Sequence, residues 1–116
     1  MAGMAVYLFA GIPVGDFAAA LAWYESLFGA PPSSFPHDEE AVWELAEHRL
    51  VYVVKRPEDA GHGMLTIMVD DLDAREAGIG RRGLEPVQRE VYPNGVRKMT
   101  YADPDGNEIG FGAIPR

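Results

Sequence analysis

The sequence contains no cysteine in its 116 residues. This absence excludes disulfide bonds, thiolate metal sites and a cysteine nucleophile. No apolar run approaches the ~20 residues that span a bilayer. The first ten residues contain neither lysine nor arginine, so the start does not resemble a signal peptide. We therefore expect a cytoplasmic protein without a membrane partner.

Basic residues are also few. The chain has ten lysines and arginines and 18 acidic residues, which gives a formal net charge of −8. Nucleic acids and anionic membranes bind through clusters of lysine and arginine, so neither is an expected partner. The acidic surplus suits a cationic ligand, although its more ordinary role is to keep the surface solvated. The length and the apolar content of 47% are typical of one globular domain, predicted over residues 1–116.

The chain repeats one order of elements: a strand, an aspartate that caps a helix, the helix itself, and then further strands. The helices are predicted over 16–29 and 71–83, where each begins with an aspartate and ends near a glycine. This duplication predicts a first module over about 4–56 and a second over about 63–114. The order of elements predicts an α+β fold with helices on one side of curved sheets.

Short alternating apolar stretches predict the strands. They lie at 6–14, 41–46, 50–54, 64–69, 86–91, 96–102 and 107–111. The stretches 32–40 and 56–63 are predicted to be loops. The sequence Asp-Pro-Asp-Gly at 103–106 predicts a tight turn between the last two strands, because Pro104 fixes φ and Gly106 tolerates a positive φ.

Four segments together resemble one known family. The last hairpin continues its Asp-Pro-Asp-Gly turn with Asn107, and the segments 16–29, 68–73 and 95–99 have the matching order and spacing. The chain thereby resembles the glyoxalase/bleomycin-resistance/dioxygenase superfamily, the vicinal oxygen chelate fold. The resemblance implies two βαβββ modules forming a curved mixed sheet with a concave cleft, and helices on its outer side.

Metal-dependent members of that family hold their metal with residues of four strands. By position, the resemblance carries those sites to Phe9, Met64 and Gly110, and less certainly to Tyr52. None of these is a histidine or a carboxylate, which such metals require. The three histidines are predicted to lie in loops or turns: His37, His48 and His62. We therefore expect no metal site and no cofactor.

Strand alternation, counted from Gly110, predicts which side chains line the cleft. With Tyr52 added from the family's positions and Trp43 as a stacking platform, the predicted ligand-binding residues are Tyr7, Phe9, Trp43, Tyr52, Met64, Thr66, Met68, Arg97, Met99, Tyr101, Glu108 and Gly110. The result is a pocket rich in methionine and aromatic residues, as small-molecule sites often are. Alternatively, these side chains fill the cleft or a dimer interface; Trp43 packs in the core or at a sheet edge, Arg97 pairs with Glu90, and Glu108 is a surface carboxylate.

The resemblance implies a metal-independent protein that binds a partly apolar small molecule and forms a homodimer. An alternative is a metal-dependent lyase, isomerase or dioxygenase with relocated ligands, in which the metal polarises a substrate oxygen. Another is a dimeric accessory protein without a ligand of its own. No Ser/His/Asp arrangement is readable in the sequence, so no catalytic residue is predicted.

Overall fold

The computed structural model describes residues 4–113. The outer ends of the domain predicted over 1–116, and the end of the second module at 114, lie outside the described residues. The elements in chain order are β1 (Leu8–Val14), α1 (Phe17–Phe28), β2 (Ser34–His37), β3 (Glu40–Ala46), β4 (Arg49–Lys55), a 3₁₀ turn (Pro57–Asp59), β5 (Met64–Met68), α2 (Leu72–Arg81), β6 (Gln88–Val91), β7 (Arg97–Ala102) and β8 (Glu108–Ala113).

Each module forms its own four-stranded sheet. The strand orders are β1-β4-β3-β2 and β5-β8-β7-β6. In both sheets the first strand pairs parallel to the last, and the remaining pairs are antiparallel. The sheets are therefore mixed, and both modules follow the βαβββ plan. The predicted α+β fold is confirmed.

The first helix begins and ends where its sequence predicts. Asp16 caps α1 by accepting a hydrogen bond from the backbone N–H of Ala19. Gly29 ends the helix in the left-handed region, with a φ of 76°, and its N–H donates to the carbonyl of Glu25. The second helix starts in the same way, since Asp71 accepts from the N–H of Ala74.

The prediction of a loop over 32–40 is wrong, because this stretch contains strand β2. Pro36 lies within it and concealed the strand pattern. Proline is tolerated here since β2 is the outer strand of its sheet and has a free edge. The pairing with β3 is also irregular: its register shifts between Ser34 and His37.

The buried residues of both modules form one continuous core between the two sheets and the helices. In β5 burial alternates along the strand, with partly buried residues toward α2 and exposed residues on the opposite side. We call the side of each sheet that faces away from the helices its open face. No helix within residues 4–113 combines the length and the apolar character needed to cross a membrane.

Candidate functional site

Large apolar side chains are exposed on both open faces. Phe9 on β1 is 53% exposed, and Met64 and Met68 on β5 are 78% and 48% exposed. Thr66 lies between the two methionines on the same face. Four of the predicted cleft residues therefore line the open faces.

On the first module, the ring of Tyr52 lies over Gly11. A Cβ atom placed at Gly11 would approach the Tyr52 hydroxyl oxygen to 2.5 Å. The two residues are register partners in the parallel pair of β1 and β4. The missing side chain thus makes room for the ring, and Tyr52 borders a small recess of about 100 Å³. Tyr52 thus lies on the open face, and its role in ligand binding stays a prediction.

On the second module, the stem of Lys98 lies over Gly110. A Cβ atom placed at Gly110 would be 2.6 Å from Cε of Lys98 and 3.5 Å from Oγ1 of Thr66. Glu108 precedes Gly110 by two residues on β8, is exposed, and lies opposite Met64 in the parallel pair. Lys98 was not among the predicted site residues, although it is the charged side chain that lies over Gly110.

The predicted orientation of β7 is wrong. Met99 and Tyr101 are 2% and 1% exposed and belong to the core, where the ring of Tyr101 meets Phe111 edge-on at 6.0 Å. The cause is the register: Thr100, rather than Met99 or Tyr101, is the partner of Gly110. Because side chains alternate along a strand, a shift of one residue exchanges the two faces. Met99 and Tyr101 therefore do not line the open face.

Arg97 shares the helix side of β7 with those two residues. Its guanidinium forms a salt bridge of 3.0 Å with Asp73 at the start of α2. The alternative partner expected from the sequence, Glu90, instead accepts a hydrogen bond from the hydroxyl of Tyr92. The alternative prediction that Arg97 forms a salt bridge is thus confirmed, but its partner, Asp73, belongs to a helix rather than to the neighbouring strand.

Two aromatic residues of the predicted cleft have partners within the chain. Trp43 is 2% exposed, contacts the ring of Phe28, and donates its indole N–H to the carbonyl of Ala30 at 2.9 Å. It therefore packs internally. Tyr7 is exposed, and its ring lies 4.1 Å from that of His48.

The open faces do not supply the donors of the family's metal site. The corresponding positions hold Phe9, Tyr52, Met64 and Gly110, which offer a phenyl ring, a phenol, a thioether and no side chain. Within residues 4–113 there is no cluster of three or more histidine, aspartate or glutamate side chains able to hold a metal ion. The residues present do not fit the divalent metal, which needs imidazole and carboxylate ligands.

A large groove lies between the two modules. It has a volume of about 940 Å³ and lies among β1, the end of α1, the free edge of β5 and the start of α2. Among the predicted cleft residues, Trp43, Thr66 and Met68 contribute to its walls. The sequence did not predict this groove, because it arises from how the two modules pack together.

The Asp-Pro-Asp-Gly-Asn turn links the modules through its side chains. Asn107 is fully buried; its Oδ1 accepts from the N–H groups of Gly61 and Gly63, and its Nδ2 donates to the carbonyl of Pro13. Asp105 accepts from the N–H of Gly15 at 3.0 Å. These bonds hold the last hairpin to the end of β1 and to the connection between modules.

Asp103 completes this arrangement from within the turn. Its Oδ2 accepts a hydrogen bond of 2.7 Å from the hydroxyl of Tyr24 on α1 and one of 2.8 Å from Nδ2 of Asn107. Burial, followed by the charge of Asp103, raises the pKa of Tyr24 far above its usual range, so the tyrosine stays protonated as a donor. We call Asp103, Asp105 and Asn107 the clasp.

With the geometry described, the family can be assigned. The model of the Glyoxalase/Bleomycin resistance protein/Dioxygenase superfamily matches residues 6–111. The chain belongs to this superfamily. The resemblance inferred from the last hairpin and the segments 16–29, 68–73 and 95–99 is therefore confirmed.

Solved structures share this fold, and one of them is also similar in sequence. A glyoxalase/bleomycin resistance protein from Catenulispora acidiphila DSM 44928 is 59% identical, with a TM-score of 0.93, over 96% of this chain and 100% of that one. TnmS3, an antibiotic-binding protein from Streptomyces sp. CB03234, is 24% identical, with a TM-score of 0.73, over 99% and 100% of the two chains.

A bleomycin-binding protein in complex with bleomycin is 18% identical, with a TM-score of 0.73, and the match covers 98% of this chain and 100% of that one. At such identities, the similarity to the bleomycin-binding protein and to TnmS3 shows a shared fold and no more. No curated protein matches the sequence.

Proposed function

We propose that the protein binds a partly apolar small molecule over its open faces, without a metal ion. The observation that carries the proposal is the exposure of Phe9, Met64 and Met68 on faces where Gly11 and Gly110 make room for the Tyr52 ring and the Lys98 stem. Exposing these apolar side chains to water is unfavourable, and a flexible thioether adapts to irregular apolar ligands. The antibiotic-binding neighbours of the same fold agree with such a role.

We further propose that two copies associate to complete the cleft. Strands β1 and β5 each end a sheet and have one edge without a strand partner within residues 4–113. Exposed apolar residues lie at or beside these edges, including Leu8, which is 65% exposed. Free edges with apolar side chains are ready sites for pairing with another chain. The groove between the modules offers a further surface for the partner copy.

The remaining features of the proposal follow from the sequence. We place the protein in the cytoplasm as one domain over residues 1–116, acting on a small molecule rather than on nucleic acid. We assign no catalytic residue. The proposal includes no cofactor, since the donors of the family's metal site are replaced.

Two measurements test metal independence and assembly. Metal content is measured by plasma mass spectrometry after growth with added manganese, iron, nickel or zinc, and molecular mass by analytical ultracentrifugation. We expect no stoichiometric metal and a mass of two chains. About one retained ion per chain would instead support the metal-dependent lyase, isomerase or dioxygenase, and a single-chain mass would contradict the assembly.

Ligand binding is tested by calorimetric titration with bleomycin and a panel of aromatic metabolites. We expect Met64→Ser to weaken the binding of any hit at least about tenfold, because it removes an apolar contact surface. Val87→Ser is the matched control, since Val87 is 65% exposed but lies just before β6, away from the open face. Absence of heat across the panel, or equal weakening by both variants, would contradict binding on the open faces.

A further inference from the structure

A lysine crosses the open face of the second module. Lys98 lies on β7, opposite Gly112 in the antiparallel pair with β8. Its stem leans toward Gly110, so that a Cβ atom at that position would be 2.6 Å from Cε and 3.6 Å from Nζ. The cation is thereby held against the sheet, over the position that lacks a side chain.

Lys98 forms no salt bridge within residues 4–113, whereas Lys55, Arg89 and Arg97 each pair with an acidic side chain. Glu90 is its cross-strand partner on β6, but the Glu90 carboxylate instead accepts from the hydroxyl of Tyr92. Glu108 is the other acidic residue of this face, two residues from Gly110, and within residues 4–113 it forms no salt bridge with Lys98. The ammonium group is thus available to a ligand.

Its surroundings combine one further polar donor with apolar walls. The Thr66 hydroxyl lies 3.5 Å from the Cβ position of Gly110, and Met68 covers the next glycine, Gly112, from the β5 side. Met64 is 78% exposed two residues before Thr66. A ligand that reaches Lys98 therefore meets a cation and a hydroxyl at one point and methionine side chains around them.

We propose that Lys98 anchors an anionic group of the ligand, and that the ligand is an apolar monocarboxylate. The inference rests on the proposed function of the open face and specifies its ligand. Lysine binds a carboxylate through a charge-assisted hydrogen bond, and the Thr66 hydroxyl donates a second one. Gly110 is the position of a metal-binding carboxylate in metal-dependent relatives. Here the Lys98 ammonium group lies beside that position and supplies a positive charge.

The choice of an anionic rather than a cationic ligand follows from the charge of Lys98 and not from the net charge of the chain. The chain carries a formal charge of −8, which by itself suits a cationic ligand. However, charges more than about 10 Å away are largely screened at physiological ionic strength, whereas a hydrogen-bonded partner is not. The ligand's charge is therefore selected by Lys98, with which it forms a direct contact, rather than by the summed charge of the chain.

The test compares two probes of equal shape, 2-naphthoate and 2-naphthamide, by calorimetric titration of the full chain. We expect the acid to bind at least about tenfold more tightly than the amide. Lys98→Met keeps the stem but removes the charge, so we expect it to abolish this preference while the amide still binds. Lys98→Arg retains the preference, and Lys55→Met is the control because Lys55 lies on the first module and pairs with Glu39.

Gly110→Ala is a second, independent variant. Its methyl group displaces the Lys98 stem without removing the charge, so the preference for the acid falls while thermal unfolding stays close to that of the wild type. An unchanged acid-to-amide ratio in Lys98→Met overturns the role of Lys98. If acid and amide bind equally to the wild type, the proposed function stands and this inference fails; if neither binds, both fail.

Discussion

On the first module a glycine of β1 lies under the ring of Tyr52, whereas on the second module a glycine of β8 lies under the stem of Lys98. The two faces have the same strand order, and both use a glycine to admit a neighbouring side chain. One covering group is an aromatic ring, and the other is an ammonium ion on a flexible chain. Duplicated backbones can thus provide two chemically different surfaces for one ligand.

The helices differ in a similar way. α1 has three buried residues, among them Tyr24, whose hydroxyl bonds to the clasp. α2 buries Leu72 and Ile79 and contains two glycines. The first helix is therefore bonded to the second module through Tyr24, and the C-cap of the second helix, Arg82, is bonded to the first module through the carbonyls of Ser26 and Leu27.

The largest change in stability is expected from substitutions in the clasp, which joins the two modules. Asn107→Ala removes four side-chain hydrogen bonds in a fully buried position. We expect the free energy of unfolding to fall by about 3 kcal/mol or more, because buried N–H groups lose their acceptor. Urea denaturation measures it. The control is Asn94→Ala in an exposed turn, and an equal loss there would refute the special role of Asn107.

Tyr24→Phe tests the attachment of the first helix to the clasp. It removes one hydroxyl from the buried bond with Asp103, and we expect a loss of about 2 kcal/mol in the free energy of unfolding. Thermal unfolding monitored by circular dichroism is the measurement. Tyr92→Phe removes the hydroxyl of an exposed bond to Glu90 and should cost far less. A loss of similar size in both variants would show that the clasp bond is not important.

A matched pair of substitutions compares the open faces directly. Gly11→Ala pushes against the stiff Tyr52 ring, and we expect it to destabilise the protein by about 1–2 kcal/mol. Gly110→Ala pushes against the end of a flexible lysine, and its cost should stay below about 0.5 kcal/mol. Chemical denaturation of both variants gives the two values. The reverse order would contradict the described covering groups.

A further small effect concerns α2 and has the opposite sign. Nothing lies within 4 Å of a Cβ atom placed at Gly80. We therefore expect Gly80→Ala to stabilise the protein by about 0.5–1 kcal/mol, because alanine favours the helix more than glycine does. Gly83→Ala is the control, since its φ of 93° strains any side chain. A lower melting temperature for Gly80→Ala would contradict this view of the second helix.

Much of the fold was predictable because its signals are local. The caps Asp16 and Asp71 and the terminal Gly29 act within one helical turn, and the structure contains all three. Strand β2 was missed because its pairing partner, β3, compensates for a proline that the sequence pattern alone disfavours. The faces of β1 and β5 follow from alternation, but the face of β7 needed the register of its pairing with β8.

The sequence by itself determined the repeat, the helix boundaries, the family and the absence of the family's metal donors at Phe9, Met64 and Gly110, since these depend on residue type and order. Only the tertiary structure decided that Lys98 faces Gly110, that Met99 and Tyr101 are buried, and that Asn107 joins the modules. The physical reason is distance along the chain. Asn107 bonds to Pro13 across 94 residues, and no local pattern encodes which distant backbone group a buried amide will reach.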